Sequence, residues 1–127
     1  MERYVIDTNA VSDYFSASLS DKGLDFMDGV FDAVPVISII TQIELLCWNT
    51  SESIEESVNA FIHDSLILEI NPDVVAHCVL LRRNKKIKTP DAIIAATALA
   101  YGYTLVTNNE RDFAGIRGLK LLNPMKL

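Results

Sequence analysis

The chain has 127 residues, of which 50% are apolar and 22% charged, and its formal net charge is −6 at pH 7. This length predicts one domain, residues 1–127, that buries roughly two thirds of the surface of the unfolded chain. The negative charge argues against a general nucleic-acid-binding protein, which normally has a basic surface. It does not exclude a nuclease, because carboxylates that hold divalent cations contribute to the same charge.

The start of the chain and its cysteines predict a cytoplasmic protein without a membrane anchor. The chain reaches Asp7 before any apolar segment of signal-peptide length. Polar residues interrupt the uncharged stretch 92–109, which favours a buried helix and strand over a membrane span. Cys47 and Cys78 have no zinc-ligand spacing, so we expect buried, reduced thiols.

Hydrophobic periodicity predicts strands that alternate with helices. In the first half it predicts a strand at 3–6, helices at 8–15 and 19–31, a strand at 34–37, and a helix that starts at Ser38 or Thr41 and runs through Glu44 to Trp48. In the second half it predicts helices at 52–63, 72–83, 89–102 and 111–114, strands at 66–70, 103–106 and 119–122, and a basic connection at 84–88. This order predicts an α/β fold, a three-layer α/β/α sandwich with a mainly parallel central sheet.

A polar segment follows the first predicted strand. Asp7 would project from the carboxyl end of this strand, the edge of an α/β sheet where ligands gather. Thr8 and Asn9 come next, and Asn9 can support either the carboxylate or the turn. Capping of the helix that follows is the alternative role for Asp7, because Asp is among the best N-cap residues.

Two further acids lie on apolar helices. Glu44 is surrounded in sequence by apolar residues and needs a partner if it is buried, but residues 41–44 also match a capping box. Asp91 follows Thr89 as a candidate N-cap and Pro90 at the first helical position, so helix-start chemistry also explains it. The helix after Asp91 is apolar nearly all round, and its N-terminus is therefore expected to open on an interior cleft.

A fourth polar segment, residues 107–113, follows the strand at 103–106. It offers Asn109 and Asp112 as site residues, with Thr107 and Asn108 as polar companions. The spacing leaves open which of the two faces the site. A polar loop that caps a short helix is the alternative reading.

Converging carboxylates need a cation or protonation, because two of them about 4 Å apart repel by roughly 1 to 4 kcal/mol. Oxygen ligands of this kind suit Mg²⁺ or Mn²⁺. Such an ion can activate water and hold a phosphate group. Immediately before Asp91 lie five of the eleven basic residues, which could contact RNA phosphates or form a solvated loop: Arg82, Arg83, Lys85, Lys86 and Lys88.

Four segments, 4–9, 38–45, 90–96 and 105–113, resemble in order and spacing the motifs of PIN-domain ribonucleases, most closely the VapC-like toxins of toxin–antitoxin pairs. The likeness covers nearly the whole chain. It implies an α/β/α sandwich and a metal-dependent endoribonuclease that leaves 5′-phosphate and 3′-hydroxyl ends. By this resemblance Asp7, Glu44 and Asp91 bind the metal. Asn109 stands where many relatives have an acid, which leaves Asp112 to supply the fourth charge.

The resemblance also implies an RNA substrate, a cognate antitoxin and a homodimer, with helices 19–31 and 54–62 available for these protein contacts. Two alternatives to the ribonuclease remain. A metal-dependent phosphatase is disfavoured, because Asn9 stands where aspartyl-phosphate phosphatases have a second acid. A catalytically weak PIN-like binding module is kept open by Asn109 and by the acidic surface.

Overall fold

Strands and helices alternate along residues 2–127, the part of the chain that a computed structural model describes; Met1, included in the predicted domain, lies outside it. The strands are β1 Tyr4–Ile6, β2 Val36–Ser38, β3 Leu66–Leu68, β4 Thr104–Val106 and β5 Leu121–Leu122. The helices are α1 Thr8–Phe15, α2 Asp21–Asp32, α3 Ile39–Cys47, α4 Glu52–Asp64, α5 Pro72–Asn84, α6 Thr89–Tyr101 and α7 Glu110–Phe113, followed by a 3₁₀ turn, Pro124–Lys126.

The strand ladders of residues 2–127 are all parallel. β1 pairs with β4 and β4 with β5, while β2 pairs with β3 in a separate ladder. β1 also packs beside β2, so the two ladders are neighbours. Parallel strands need covering helices, because both of their faces are buried. The predicted parallel α/β architecture is confirmed.

Apolar clusters lie on both faces of the sheet. Val5 and Leu105 belong to the cluster that packs against α6, whereas Ile6 and Val106 belong to the cluster beneath α1, α2 and α4. This division follows from the alternation of side chains along a strand. Each fully buried side chain of this size contributes about 1.5–3 kcal/mol, so these short strands are fixed in register by both clusters.

Helix α6 is the central helix that the sequence predicts. Ala92 and the run from Ile94 to Ala98 are buried, and α5 packs along it. Thr97 is tolerated in this interior because its hydroxyl donates to the carbonyl oxygen of Ile93 at 2.7 Å. The helix ends at Gly102, whose φ of 74° is the left-handed C-cap conformation that glycine adopts without strain. Its N-terminus carries Asp91 to the carboxyl edge of the sheet.

The structure decides between the two predicted caps of α3 and corrects the predicted cap of α6. Ser38, not Thr41, caps α3, because its hydroxyl accepts from the backbone N–H of Thr41 at 3.1 Å. The capping box at residues 41–44 therefore does not form. Lys88 occupies the N-cap position of α6 and makes no side-chain capping bond, so Thr89 and Pro90 are the first two residues inside the helix.

Other predictions differ from the structure at the ends of elements and in burial. Helix α2 starts at Asp21 rather than residue 19, because the Ser20 hydroxyl caps it. The strands predicted at 34–37, 66–70 and 119–122 are β2, β3 and β5, each confined to two or three residues. Cys47 is exposed at the last turn of α3 and Cys78 is half-buried, so the prediction of buried thiols is wrong for Cys47. None of the helices in residues 2–127 combines the length and apolar character needed to cross a bilayer.

Candidate active site

The predicted site segments come together at the carboxyl edge of the sheet. Asp7 directly follows β1, and Thr107 directly follows β4, to which β1 is paired. Glu44 lies on α3, which leaves β2 without a connecting loop. Because the carboxyl ends of parallel strands lie at one edge, segments distant in sequence meet there.

Asp7 is buried and fixed by hydrogen bonds to both carboxylate oxygens. Its side chain is 4% exposed. One oxygen, Oδ1, accepts from the backbone N–H of Thr8 at 2.8 Å, so Asp7 does cap α1. The other, Oδ2, accepts from the Thr107 hydroxyl at 2.8 Å and from the Asn9 amide at 3.1 Å. Capping and a site role therefore use different oxygens of one side chain.

The electrostatic environment of Asp7 is unfavourable to its negative charge. Burial raises the pKa of Asp7 to about 6, and the hydrogen bonds from Thr107 and Thr8 offset part of that rise. The negative charges of Asp91 and Glu44 raise it further. A bound cation would remove this penalty, because an opposite charge favours the ionised carboxylate.

Glu44 is held by α1 rather than by its own helix. The Thr8 hydroxyl donates to Glu44 Oε1 at 2.6 Å and lies 3.2 Å from the Thr41 hydroxyl. Thr41 is in turn 3.3 Å from the hydroxyl of Ser38, and both are buried. This chain of hydroxyl groups orients an otherwise exposed carboxylate toward Asp7. Ser38 and Thr41 were not among the predicted site residues, although their hydroxyl groups at a helix start are a recognisable signal.

Asp91 interacts electrostatically with both Asp112 and Glu44, and so links Asp112 to Asp7 and Glu44. Partial burial is the largest cause of a raised pKa for Asp91. The negative charges of Asp112 and then Glu44 raise this pKa further, whereas the positive charge of Lys88 lowers it. Asp91 therefore senses two carboxylates, just as Asp7 senses Asp91 and Glu44. The four acids form one continuous field of negative charge.

The geometry separates the roles of Asn109 and Asp112. Asp112 lines a cavity of about 410 Å³ together with Asp91, and Asn109 is absent from that lining. The Asn109 amide donates to Asp112 Oδ2 at 3.0 Å, and its oxygen accepts from the Asp112 backbone N–H at 3.3 Å. The backbone N–H of Asn109 donates to Thr107 Oγ1 at 3.0 Å. Asn109 thus links Asp112 to the same threonine that holds Asp7.

A longer-range contact fixes the loop after β4. The Asn108 backbone N–H donates to Asn9 Oδ1 at 3.0 Å, and its side-chain amide donates to Asp13 Oδ2 at 2.5 Å. Asp13 was not a predicted site residue, and no local pattern indicates it, because its partner is 95 residues away. Both bonds tie α1 to the loop that carries Asn109.

Three of the five predicted basic residues line the same cavity as Asp91 and Asp112. They are Arg82, Lys86 and Lys88. Arg82 is held there by a hydrogen bond from its Nε to the carbonyl oxygen of Ile87 at 3.2 Å. Arg83 and Lys85 do not line the cavity. The rim of the acidic cavity is therefore positively charged, as a phosphate-binding surface requires.

The carboxylates are electrostatic neighbours but are not arranged in a closed coordination sphere. Across residues 2–127, no three Asp, Glu, His or Cys side chains are positioned to hold a metal ion together. Glu44 and Asp112 are exposed, so their side chains have room to rotate. The donor set consists of oxygen atoms, which suits a hard divalent cation.

The fold and the site define a class: an α/β protein with an acidic cleft at the carboxyl edge of a parallel sheet. The family model of the PIN domain matches residues 4–119. The chain belongs to the PIN domain family.

Individual relatives agree with this assignment. A toxin–antitoxin complex from Klebsiella pneumoniae contains a chain 31% identical to this one, with 95% of this chain and 97% of that chain covered and a TM-score of 0.76. A DNA-bound VapBC structure from Salmonella typhimurium is 22% identical, covers 98% and 99% of the two chains and has a TM-score of 0.81, which shows the shared fold. Ribonuclease VapC1 of Rickettsia felis is 46% identical over 43 residues, a match that spans 34% of this chain and 32% of that protein.

Proposed function

We propose that this PIN-domain protein is a metal-dependent endoribonuclease and the toxin of a toxin–antitoxin pair. The observation that carries this proposal is the group of four interacting carboxylates beside a basic rim. The similarity to a protein named Ribonuclease VapC1 and to a chain of a toxin–antitoxin complex supports it. We also propose a cytoplasmic location, where an RNA substrate is present.

The carboxylates of Asp7, Glu44, Asp91 and Asp112 would hold Mg²⁺ or Mn²⁺. A cation would offset the burial and mutual repulsion that raise the pKa values of Asp7 and Asp91. It would also draw in the exposed carboxylates of Glu44 and Asp112. When bound, the ion supplies Lewis acidity, which lowers the pKa of water and polarises a phosphate group.

The remaining side chains of the site have positioning and binding roles in this proposal. Thr107 and Asn9 hold Asp7, the Thr8 hydroxyl holds Glu44, and Asn109 holds Asp112. The cations at the rim neutralise RNA phosphates on either side of the bond that is cut. Arg82, Lys86 and Lys88 line the cavity for this role, with Arg83 in the last turn of α5 and Lys85 at its C-cap as their neighbours in sequence.

Incubation of the purified protein with end-labelled single-stranded RNA tests the function. We expect internal cleavage with Mg²⁺ or Mn²⁺, products with 5′-phosphate and 3′-hydroxyl ends, and no cleavage with EDTA. Hydrolysis of p-nitrophenyl phosphate without RNA cleavage would instead indicate a phosphatase. Binding of RNA or of an antitoxin without either reaction would indicate a binding module.

Alanine at Asn109 should lower RNA cleavage about tenfold, because loss of an outer-shell partner of a metal ligand typically costs 10–100-fold in activity. The variant should also lose about 1 kcal/mol of stability with the α7 cap. Asn71→Ala is the matched control, because Asn71 caps α5 in the same way, accepting from the Val74 N–H at 2.9 Å away from the cleft. Initial cleavage rates and urea unfolding measure both effects. Equal cleavage by the two variants would contradict the positioning role.

A homodimer would bury exposed apolar side chains of α3 and α5, which we propose to form one apolar face; both helices pack on α6. The exposed fractions are 52% for Ile43, 59% for Leu46, 50% for Val75 and 46% for Val79. Grouped exposed apolar side chains are typical of protein interfaces. The proposal of a homodimer rests on this face.

Glutamate at Val79 should convert the dimer to a monomer, because a charge would be desolvated at the centre of the interface. Val34→Glu is the control: Val34 is 69% exposed and lies outside α3 and α5. Light scattering after size-exclusion chromatography gives the mass of each variant. If the Val79→Glu protein is still a dimer, the dimer interface does not include Val79.

The surface of α2 and α4 suits a basic antitoxin segment. Helices α2 and α4 expose a set of acids: Asp21, Asp25, Asp32, Glu52, Glu55 and Glu56. A cavity of about 230 Å³ lies between them, with an aromatic lining from Tyr14, Phe15, Phe31 and Phe61. An antitoxin with an apolar anchor flanked by Lys or Arg would complement both features.

A further inference from the structure

A second cavity, with a volume of about 570 Å³, lies beside the acidic cleft. Two segments of the chain border both cavities: the end of α5 with the connection after it, and α7 with the loop after it. Arg82 and Lys86 line the acidic cleft, whereas Lys85 lines the second cavity. Likewise Asp112 lines the cleft and Arg117 lines the second cavity. We call this second space the Arg117 cavity.

A hydrogen bond joins the two bordering segments between the cavities. The Lys85 ammonium group donates to the carbonyl oxygen of Ala114 at 3.3 Å. Ala114 is the C-cap residue of α7, the helix that presents Asp112 to the acidic cleft. This hydrogen bond therefore connects two segments that each contribute lining residues to both cavities.

The lining of the Arg117 cavity combines an apolar wall with cations. Leu81, Leu99 and Ile116 form the apolar wall, and Lys85 and Arg117 supply positive charge. The volume falls in the range of about 300–1,000 Å³ that is typical of small-molecule sites. A nucleotide matches this combination, because the faces of its base are apolar and its phosphate is anionic.

Charge along the chain favours a polyanion at these two cavities. Residues 82–127 carry nine Lys and Arg against three Asp and Glu, a net charge of +6, although the whole chain has −6. Residues 8–81 carry one basic and twelve acidic residues, a net charge of −11. The ion pairs within residues 2–127 are His63 with Asp64 and Lys126 with Glu110, so no carboxylate in this part of the chain forms an ion pair with the Lys and Arg side chains that line the two cavities.

We propose that the Arg117 cavity is a subsite for an unpaired nucleotide of the RNA substrate, adjacent to the phosphodiester that is cut in the acidic cleft. This proposal rests on the proposed ribonuclease function. The base packs on Leu81 and Ile116, while Lys85 and Arg117 pair with the phosphates beside it. A base held in a duplex cannot enter the cavity, so the subsite selects single-stranded RNA.

Binding to a cleavage-deficient protein tests the subsite separately from catalysis. The probe is a fluorescein-labelled single-stranded oligoribonucleotide of about ten nucleotides, comparable to the span of known single-strand sites, and binding is measured by anisotropy. In the Asp91→Asn background, Arg117→Glu should weaken RNA binding about tenfold. It should also reduce the slope of log affinity against log salt concentration by about one, the value for one phosphate contact. Lys22→Glu is the control: it makes the same charge reversal at an exposed residue of α2, and it should bind like the parent.

Each outcome decides the proposal. Equal affinity of the Arg117→Glu and Lys22→Glu proteins for the oligoribonucleotide would overturn it. Intact RNA binding by Arg117→Glu with loss of the dimer would also overturn it and make the cavity a protein interface. If the wild-type protein binds the probe through Arg117 but cleaves no RNA with Mn²⁺, the subsite stands and the ribonuclease function fails.

Discussion

Asparagine at Asp91 should lower RNA cleavage about a thousandfold, which corresponds to about 4 kcal/mol of transition-state stabilisation. Asn has nearly the same shape as Asp, so the substitution removes a charge without opening a cavity. Burial and the charges of Asp112 and Glu44 already raise the pKa of Asp91. The metal-free variant should therefore fold as well as the wild type, and its loss of activity would not reflect unfolding.

The chain contains a close control for this substitution. Asp73 is an exposed acid in the first turn of α5 and directly follows Pro72, just as Asp91 follows Pro90 in the first turn of α6. Asp73→Asn also replaces an acid in the first turn of a helix, but away from the cleft. This variant should cleave RNA at the wild-type rate. Time courses with end-labelled RNA, with circular dichroism as a check of folding, compare the two variants. Similar RNA cleavage rates for Asp91→Asn and Asp73→Asn would show that Asp91 is not an active-site residue.

Strong local signals in the sequence surround two of the candidate acids. Asp7 follows a wholly apolar strand, and Asp91 opens a helix that is apolar nearly all round. Parallel topology then requires that such segments meet at one edge of the sheet. The order of elements and the helix N-termini therefore carried most of the information about the cleft.

Features that depend on tertiary contacts could not be predicted in the same way. Glu44 bonds to Thr8, 36 residues away, and this contact replaces the local capping box that residues 41–44 match in sequence. Ser38 and Thr41 are both good caps in sequence, and only the end of β2 decides that Ser38 has the role. The choice between Asn109 and Asp112 depended on side-chain directions in one short helix. A sequence can indicate candidates for such contacts but cannot rank them.

The charge asymmetry of the chain was visible in the sequence but is hidden in its net charge. The net charge of −6 is the sum of an acidic segment, which ends at residue 81, and a basic segment, which starts at residue 82. The basic segment includes the rim of the acidic cleft and the lining of the Arg117 cavity. The acidic segment includes α2 and α4, where we propose that a basic partner binds. One chain can therefore present opposite charges to RNA and to a protein partner.

The stability of the metal-free protein should fall as pH rises from about 4 to about 6, because of Asp7. Burial raises the pKa of Asp7 from 3.8 to about 6, so the folded state binds this proton more tightly than the unfolded state. The contribution is fully present below about pH 3.8 and is lost as pH rises through about 6. At 1.36 kcal/mol per pKa unit, the loss is about 3 kcal/mol.

Asparagine at Asp7 should remove this dependence, because an amide does not ionise. The free energy of unfolding, measured by urea titration in EDTA at several pH values, gives the difference between variant and wild type. That difference should change by up to about 3 kcal/mol in favour of Asp7→Asn between pH 4 and pH 7. Asp73→Asn, at an exposed acid of α5, should run parallel to the wild type.

Addition of Mn²⁺ should reverse the ranking of Asp7→Asn and wild type at neutral pH. An ion that binds the folded state stabilises it by about 4.1 kcal/mol at a thousand times its dissociation constant, which exceeds the cost of about 3 kcal/mol of ionising Asp7, and only the wild type keeps the buried carboxylate that we propose as a ligand. The midpoint of thermal unfolding should therefore rise with Mn²⁺ in the wild type and stay constant in Asp7→Asn. Equal responses to Mn²⁺ would mean that the ion binds elsewhere. Parallel pH profiles without the metal would mean that Asp7 is ionised in the folded protein without cost.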